Sequence, residues 1–281
     1  MDQAASLNGG RSPVKVIAVT SGKGGVGKTN LVANLACALS ELGRRVMILD
    51  ADLGLANLDV LLGYAPEYNL AHVFAGEKSL AEIVVTGPKG IKIIPASSGI
   101  QEITDLDCRQ QRILLDQMDD FADQLDYLLI DTAAGISSLV TSFLTAAQEV
   151  VVVVTPEPTS MTDAYALVKV MHTSFAADRF HLLVNQVRDE EEAGLIFAKL
   201  NLVCEKFLDI SLDFLGYIPA DSAVSRAVRQ QRAVVDLLPD AAASRQFMVV
   251  ARELEQMSGR RPGGGLQFFW RRLLDGEPAR E

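Results

Sequence analysis

The feature that most constrains this chain is a glycine-rich segment, GKGGVGKT, at residues 22–29. It fits the pattern G-x-x-x-x-G-K-[ST] and follows an apolar, β-branched run at 14–20. A helical pattern over 28–42 comes next and is closed by Gly43. In this strand–loop–helix context the glycines let backbone N–H groups turn towards phosphate oxygens, and the helix start adds its positive dipole. The segment therefore predicts a phosphate-binding loop rather than a turn without a ligand.

Two side chains at the end of the loop carry most of the expected chemistry. Lys28 should reach the β- and γ-phosphates of a nucleotide, and the Thr29 hydroxyl should bind Mg²⁺. The sequence thus predicts that a nucleoside di- or triphosphate binds together with Mg²⁺. The cofactor-binding set predicted from this segment is Gly24, Gly25, Val26, Gly27, Lys28, Thr29 and Asn30.

Apolar runs recur along the chain, and helical patterns separate most of them. Continuous apolar strands that alternate with helices are typical of a parallel sheet buried on both faces. We therefore predict an α/β fold with a doubly wound, mostly parallel sheet that carries helices on both faces. The predicted strands are 14–20, 45–50, 91–96, 126–131, 149–155, 180–185 and 213–218.

The composition argues against a membrane-spanning or exported protein. At 49% hydrophobic, the 281-residue chain can bury a substantial core. Its purely apolar stretches are short, such as 150–154, whereas a membrane-spanning helix needs about 20 apolar residues. The N-terminal sequence MDQAASLNGGRSP has no apolar signal region. We therefore expect a cytoplasmic location.

Charge argues against a DNA-binding protein, and cysteine spacing argues against a zinc or redox site. The formal net charge is −10, and no basic run precedes about the last twenty residues. Non-specific DNA binding depends on clustered lysine and arginine, so we expect no direct DNA binding. Cys37, Cys108 and Cys204 fit no zinc or redox spacing and are expected to be reduced thiols.

The chain divides into three predicted parts. Residues 1–13 form a mobile N-terminal segment, 14–259 the ATPase domain, and 260–281 a linker with a terminal helix. If the segment LQFFWRRLL is helical, its apolar side chains form one stripe and its two arginines lie off it. The stripe could dock on an anionic membrane surface or pack on its own domain. Its members are Leu266, Phe269, Trp270, Leu273 and Leu274.

The extra lysine of the loop, Lys23, gives KGGVGKT, which resembles the deviant P-loop of the MinD/ParA family of ATPases. The resemblance covers about residues 14–258. It implies that two ATP-bound chains form a homodimer in which Lys23 reaches the partner's nucleotide and acts in catalysis together with Lys28. A second cation there would offset charge on the transferring phosphoryl group, as an arginine finger does.

Two acidic motifs extend the resemblance. In DADLGLANLD, at 50–59, Asp50 ends a strand at the expected ligand edge, and Asp52 matches the family residue that orients the attacking water. In DTAAG, at 131–135, Asp131 matches the carboxylate that binds Mg²⁺ through water. The resemblance therefore implies a metal site formed by Thr29, Asp50 and Asp131. The family usually has proline where this chain has Ala133.

Later segments resemble the side of the family's site that holds the base. Asn185 ends a strand, and its amide can pair with the adenine edge. Pro219 matches a residue that packs on the adenine ring. Asp221 has two interpretations, contact with the nucleoside or an N-cap for the next helix. Glu157 also has two: it could pair with Lys23 or touch the partner's nucleotide.

Residues 197–234 resemble a narrower group, the flagellar number regulators called FleN or FlhG. The start of the chain, Asp2-Gln3-Ala4-x-x-Leu7, resembles the activator motif of that group, although Asn8 replaces its usual arginine. The resemblance implies an antiactivator of a FleQ-type transcription activator and a partner of the GTPase FlhF, in the cytoplasm or at the inner face of the membrane or cell pole. A MinD-type regulator of the cell-division site is the alternative, and the DQA start argues against it.

Overall fold

The computed structural model describes residues 13–52, 58–95, 108–257 and 265–275. The predicted DQA segment, with Asp2, Gln3, Ala4 and Leu7, and the linker at 260–264 lie outside these ranges.

An eight-stranded sheet crosses the described part of the chain in the order β3-β4-β2-β5-β1-β6-β7-β8. All neighbours pair in parallel except β3 and β4, which are antiparallel. The doubly wound, mostly parallel sheet is thus confirmed. The strands are β1 (Lys15–Thr20), β2 (Val46–Ala51), β3 (Val85–Thr86), β4 (Lys92–Pro95), β5 (Tyr127–Thr132), β6 (Glu149–Val154), β7 (His181–Val187) and β8 (Asp213–Pro219).

Helices cover both faces of this sheet. One layer packs in the core that receives Val16 and Ala18 of β1, and the other receives Ile17 and Val19. This alternation explains why the strands are apolar throughout, since both of their faces are buried. The helices are α1 (Lys28–Glu41), α2 (Leu58–Leu62), α3 (Leu70–Phe74), α4 (Leu80–Ile83), α5 (Cys108–Ala122), α6 (Ser138–Ala146), α7 (Pro158–Phe175), α8 (Glu190–Leu208), α9 (Ser222–Arg229), α10 (Val234–Leu237), α11 (Ala242–Gln256) and α12 (Leu266–Asp275).

The terminal helix α12 packs on its own domain, against α5 and α6. Its apolar stripe is buried in the same core as β1, with at most 9% of any stripe residue exposed. Phe269 stacks on Phe143 with ring centroids 6.4 Å apart. Of the two sites predicted for this stripe, the structure shows the one on the chain itself. None of the described helices is both long enough and apolar enough to span a bilayer.

Candidate functional site

The predicted phosphate loop connects the end of β1 to the start of α1. Gly25 and Gly27 have left-handed backbones, with φ of 79° and 92°, which side chains other than glycine rarely adopt. A Cβ on Gly27 would lie 2.7 Å from Asn185 Nδ2, so the loop also needs glycine there for space. No side chain caps the start of α1. Its first backbone N–H groups can therefore bind an anion.

The loop backbone rests directly on α7. A Cβ on Gly22 would lie 2.1 Å from the carbonyl carbon of Asp163, which leaves no space for any side chain. The Ser21 hydroxyl donates to the Lys23 carbonyl at 2.7 Å, and the N–H of Gly135 donates to the Ser21 carbonyl at 2.9 Å. These contacts fix the start of the loop between α7 and the segment after β5.

Lys28, in the first turn of α1, is 7% exposed. Burial lowers the pKa of its ammonium group, and the charges of Asp131 and Asp52 oppose that shift. A buried cation with acidic neighbours is the group expected beside a triphosphate and its metal ion.

Asp50 and Asp131 lie side by side, because parallel β2 and β5 place them in register. Burial raises the pKa of each carboxyl to about 7. For Asp131, the Thr29 hydroxyl and the Lys28 ammonium oppose the shift. Neither carboxylate oxygen of Asp131 has a hydrogen-bond partner of standard geometry among the described residues. Buried acidic oxygens of this kind fit a hydrated Mg²⁺ ion, whose charge would favour the ionised form.

Asp52 lies just beyond β2 and is partly exposed. Its backbone N–H lies 3.4 Å from Asp50 Oδ1, in hydrogen-bonding geometry. Its charge acts on both Lys28 and Asp131. The predicted water-orienting carboxylate therefore lies close to the groups predicted to hold the phosphates and the metal.

The Lys23 side chain contacts the start of α7 at the protein surface. Its ammonium forms an ion pair with Glu157, the N-cap residue of α7, and donates to Thr159 Oγ1 at 3.0 Å. About 36% of the Lys23 side chain and 63% of the Glu157 side chain are exposed. Of the two interpretations of Glu157, pairing with Lys23 is the one found within this chain.

A cavity of about 520 Å³ lies between the end of the phosphate loop and the ends of β7 and β8. Asn185, Pro219 and Asp221 all line it. Asn185 Nδ2 donates to the Val26 carbonyl at 2.7 Å. Asp221 is the N-cap of α9, since its carboxylate accepts from the backbone N–H of Ala223 at 2.8 Å. The same carboxylate accepts from the N–H of Ala243, in the first turn of α11, at 3.1 Å. The structure thus shows the N-cap interpretation of Asp221.

The chain is similar in sequence to a known domain family and to two bacterial proteins. A family described as an AAA domain matches residues 14–180. The chain is 49% identical to the antiactivator FleN of Pseudomonas aeruginosa over 95% of each chain. It is 36% identical to the flagellum site-determining protein YlxH of Helicobacter pylori, covering 92% of this chain and 90% of that one.

The chain belongs to the MinD/ParA family of P-loop ATPases.

A solved structure of this family shows the ligand class. The MinD of Pyrococcus horikoshii, complexed with Mg-ADP, superposes with a TM-score of 0.69 at 25% identity, over 87% of this chain and 97% of that one. The chain is therefore an ATPase of the MinD/ParA family. The glycine cradle, buried Lys28 and the paired acids Asp50 and Asp131 are residues suited to a nucleotide with Mg²⁺.

Three residues around the MinD/ParA-type site were not predicted. Thr159 holds Lys23, and the backbone of Asp163 supports Gly22. Gln186 lines the cavity beside Asn185. Thr159 lies two residues after Glu157, which was predicted, so its position was a usable signal. The other two contacts arise between distant segments and leave no local pattern.

Proposed function

We propose that this chain is an ATP-controlled dimer that limits flagellar number. In this proposal it acts as an antiactivator of a FleQ-type transcription activator and as a partner of the GTPase FlhF. The observation that carries the proposal is the partly exposed Lys23 beside the glycine-rich phosphate loop. The 49% identity to the antiactivator FleN, over 95% of both chains, supports the biological role.

The proposed reaction is hydrolysis of ATP to ADP and phosphate. Lys28 holds the β- and γ-phosphates, and Asp52 orients a water molecule in line with the γ-phosphorus. The water oxygen bonds to that phosphorus, the bond to the β,γ-bridging oxygen breaks, and ADP leaves with the electron pair. The protons of the water go to the released phosphate and to solvent. Mg²⁺, held by Thr29 and through water by the two buried acids, would neutralise charge on the phosphates.

In this proposal Lys23 acts on the nucleotide of a second chain. Its partners in its own chain are surface groups, and exposed ion pairs contribute only about 0–1 kcal/mol. A bound triphosphate on a facing chain carries several negative charges and can compete for the same ammonium. ATP on both chains would therefore draw two Lys23 side chains across the interface, so that nucleotide state controls dimerisation. The proposed ATPase unit is 14–259, with 1–13 and 260–281 as its flanking segments.

Substitution Lys23→Ala should remove ATP-dependent dimerisation and hydrolysis while leaving ATP binding by the monomer mostly intact. The reason is that Lys28 and the glycine cradle remain, and only the cation for the opposite nucleotide is lost. The measurement is light scattering after size exclusion with ATP and Mg²⁺. Lys78→Ala is the matched control, because Lys78 is also in a surface ion pair, 3.3 Å from Glu82, and takes no part in the proposed site. A Lys23→Ala protein that dimerises as the parent does would contradict the role in trans.

A cytoplasmic protein with peripheral membrane contact is also part of the proposal. Because α12 is buried against its own domain, membrane contact requires this helix to move. Leu266, Phe269, Trp270, Leu273 and Leu274 would have to leave α5 and α6 before they could meet lipid. Burying each large apolar side chain contributes about 1.5–3 kcal/mol, so a membrane must replace contacts that the domain already supplies.

The function is tested by deletion of the gene in the source bacterium and by counting flagella per cell. We expect more flagella per cell, restored to the normal number by the parent gene and not by a Lys28→Ala version. The position of the division septum, measured in the same cells, separates this function from that of a MinD-type division regulator. Unchanged flagellation with displaced septa would favour the division regulator.

A further inference from the structure

Gln186 has an unusual backbone for its position. It lies inside β7 with φ of +61°, a left-handed value uncommon for a residue other than glycine. The register between β7 and β8 shifts here, from Asn185 opposite Ile218 to Val187 opposite Pro219. Gln186 is thus the extra residue of a β-bulge. Bulges and strained residues of this kind occur often beside active sites, where they re-aim a side chain.

The adjacent side-chain amides of Asn185 and Gln186 differ in their contacts. The Asn185 side chain is used by the protein itself, because Nδ2 donates to the Val26 carbonyl at 2.7 Å and Oδ1 accepts from the Gln186 N–H at 3.0 Å. Asn185 therefore ties β7 to the phosphate loop. The Gln186 side chain is exposed and lines the cavity at the ends of β7 and β8.

The other acidic or amide side chains next to Gln186 in this cavity are also engaged. The Asp221 carboxylate accepts from the backbone N–H of Ala223 in α9 and from that of Ala243 in α11. Asn30 accepts from the Asn34 side chain at 2.9 Å through its amide oxygen. For Gln186, the described residues supply no hydrogen bond to the side-chain amide, whose Nε2 lies 3.9 Å from where a Cβ on Gly27 would be. Its donor and acceptor are therefore available to a molecule in the cavity.

We propose that Gln186 reads the purine base of the bound nucleotide and favours adenine over guanine. The proposal rests on this cavity holding the nucleoside of the ATPase site. A glutamine amide offers a donor and an acceptor side by side, which complement N7 and the N6 amino group of adenine. The same edge of guanine presents two acceptors, so the glutamine can satisfy only one. Asn185 positions the loop and the bulge through one N–H and its amide oxygen.

The test compares Gln186→Gly with Gln231→Gly by calorimetric titration of ADP and GDP in excess Mg²⁺. Diphosphates avoid coupling to ATP-dependent dimerisation. Glycine suits the left-handed backbone at 186, so the variant loses the amide and keeps the bulge. Gln231 is the matched control, because it is another exposed glutamine with a left-handed backbone, φ +53°, and it lies outside the cavity.

We expect Gln186→Gly to weaken ADP binding about fivefold to tenfold, whereas GDP binding should change less than about twofold. The loss for ADP is at the low end for a bidentate base contact, because the site is partly exposed. Its thermal midpoint should equal or exceed that of the parent, and Gln231→Gly should keep the parent's ADP preference. Unchanged discrimination in Gln186→Gly would overturn the inference. So would a marked fall in its thermal midpoint, which would show that the side chain supports the fold. A parent protein that binds neither nucleotide would instead contradict the ATPase site itself.

Discussion

Alanine in place of Lys28 should raise the dissociation constant for ATP by at least about a hundredfold. The ammonium is buried at the start of α1, with Asp131 and Asp52 near enough to shift its pKa. Removing one member of a buried charge pair costs about 3–5 kcal/mol, and each 1.4 kcal/mol is a factor of ten in affinity. Without the Lys28 cation, the negative charges of Asp131 and Asp52 would also repel the triphosphate. Calorimetric titration with ATP and Mg²⁺ measures the change directly.

Lys92→Ala serves as the control for this prediction. Lys92 is a lysine of β4 that bonds to Gln124 at 2.8 Å and lies outside the candidate site. Its loss should leave ATP affinity within about twofold, because surface substitutions rarely change a distant site. Thermal unfolding of both variants should be compared as well, so that misfolding is not mistaken for lost binding. If folded Lys28→Ala binds ATP as tightly as the parent, Lys28 does not hold the phosphates.

Asp52→Ala should lower the turnover of ATP by about 10²–10⁴ without loss of ATP binding, the range typical of a positioned acid–base group. Lys28, Thr29 and the glycine cradle remain, so the phosphates keep their contacts. Since the dimer is proposed to open only after hydrolysis, the variant should persist as an ATP-bound dimer. Phosphate release gives the turnover, and size exclusion with ATP gives the dimer population.

The neighbouring acid Asp59 provides the control for Asp52. It belongs to the same DADLGLANLD segment, but its carboxylate accepts from the Val60 backbone N–H at 2.7 Å within α2. Asp59→Ala should therefore keep turnover within a few-fold of the parent. Equal turnover in Asp52→Ala and the parent would remove the water-orienting assignment and leave the phosphate cradle unaffected.

The sheet and the phosphate loop could be predicted because their signals are local. Strands such as β5 and β6 are buried on both faces, so their residues are almost continuously apolar. The loop requires glycine at positions of left-handed backbone, as at Gly25 and Gly27. Parallel strands bring their carboxyl ends to one edge, which is where Asp50 and Asp131 lie. The metal role expected of these two acids came from the resemblance of their motifs to those of the family.

Other features depend on contacts between distant segments and left no readable pattern. The edge strand β3 has two residues, too few to show alternation. The bulge at Gln186 arises from the pairing of β7 with β8. For α12 the apolar stripe was evident, but amphipathicity alone does not tell lipid from a protein groove. The packing on α5 and α6 shows which surface it covers here.

ATP hydrolysis by a mixture of Lys23→Ala and Asp52→Ala chains tests most directly whether each chain lends Lys23 to the other's nucleotide. Alone, the Lys23→Ala chain should stay monomeric with ATP, and the Asp52→Ala dimer lacks the water-orienting carboxylate at both sites. Each variant alone should therefore hydrolyse ATP at a small fraction of the parent rate. In the mixed dimer, the Lys23→Ala chain keeps its own Asp52 and receives Lys23 from its partner, so one complete site forms. We predict that activity appears on mixing and peaks near equal amounts. A mixture no more active than the sum of its parts, under conditions where the parent turns over, would show that Lys23 does not act across the interface.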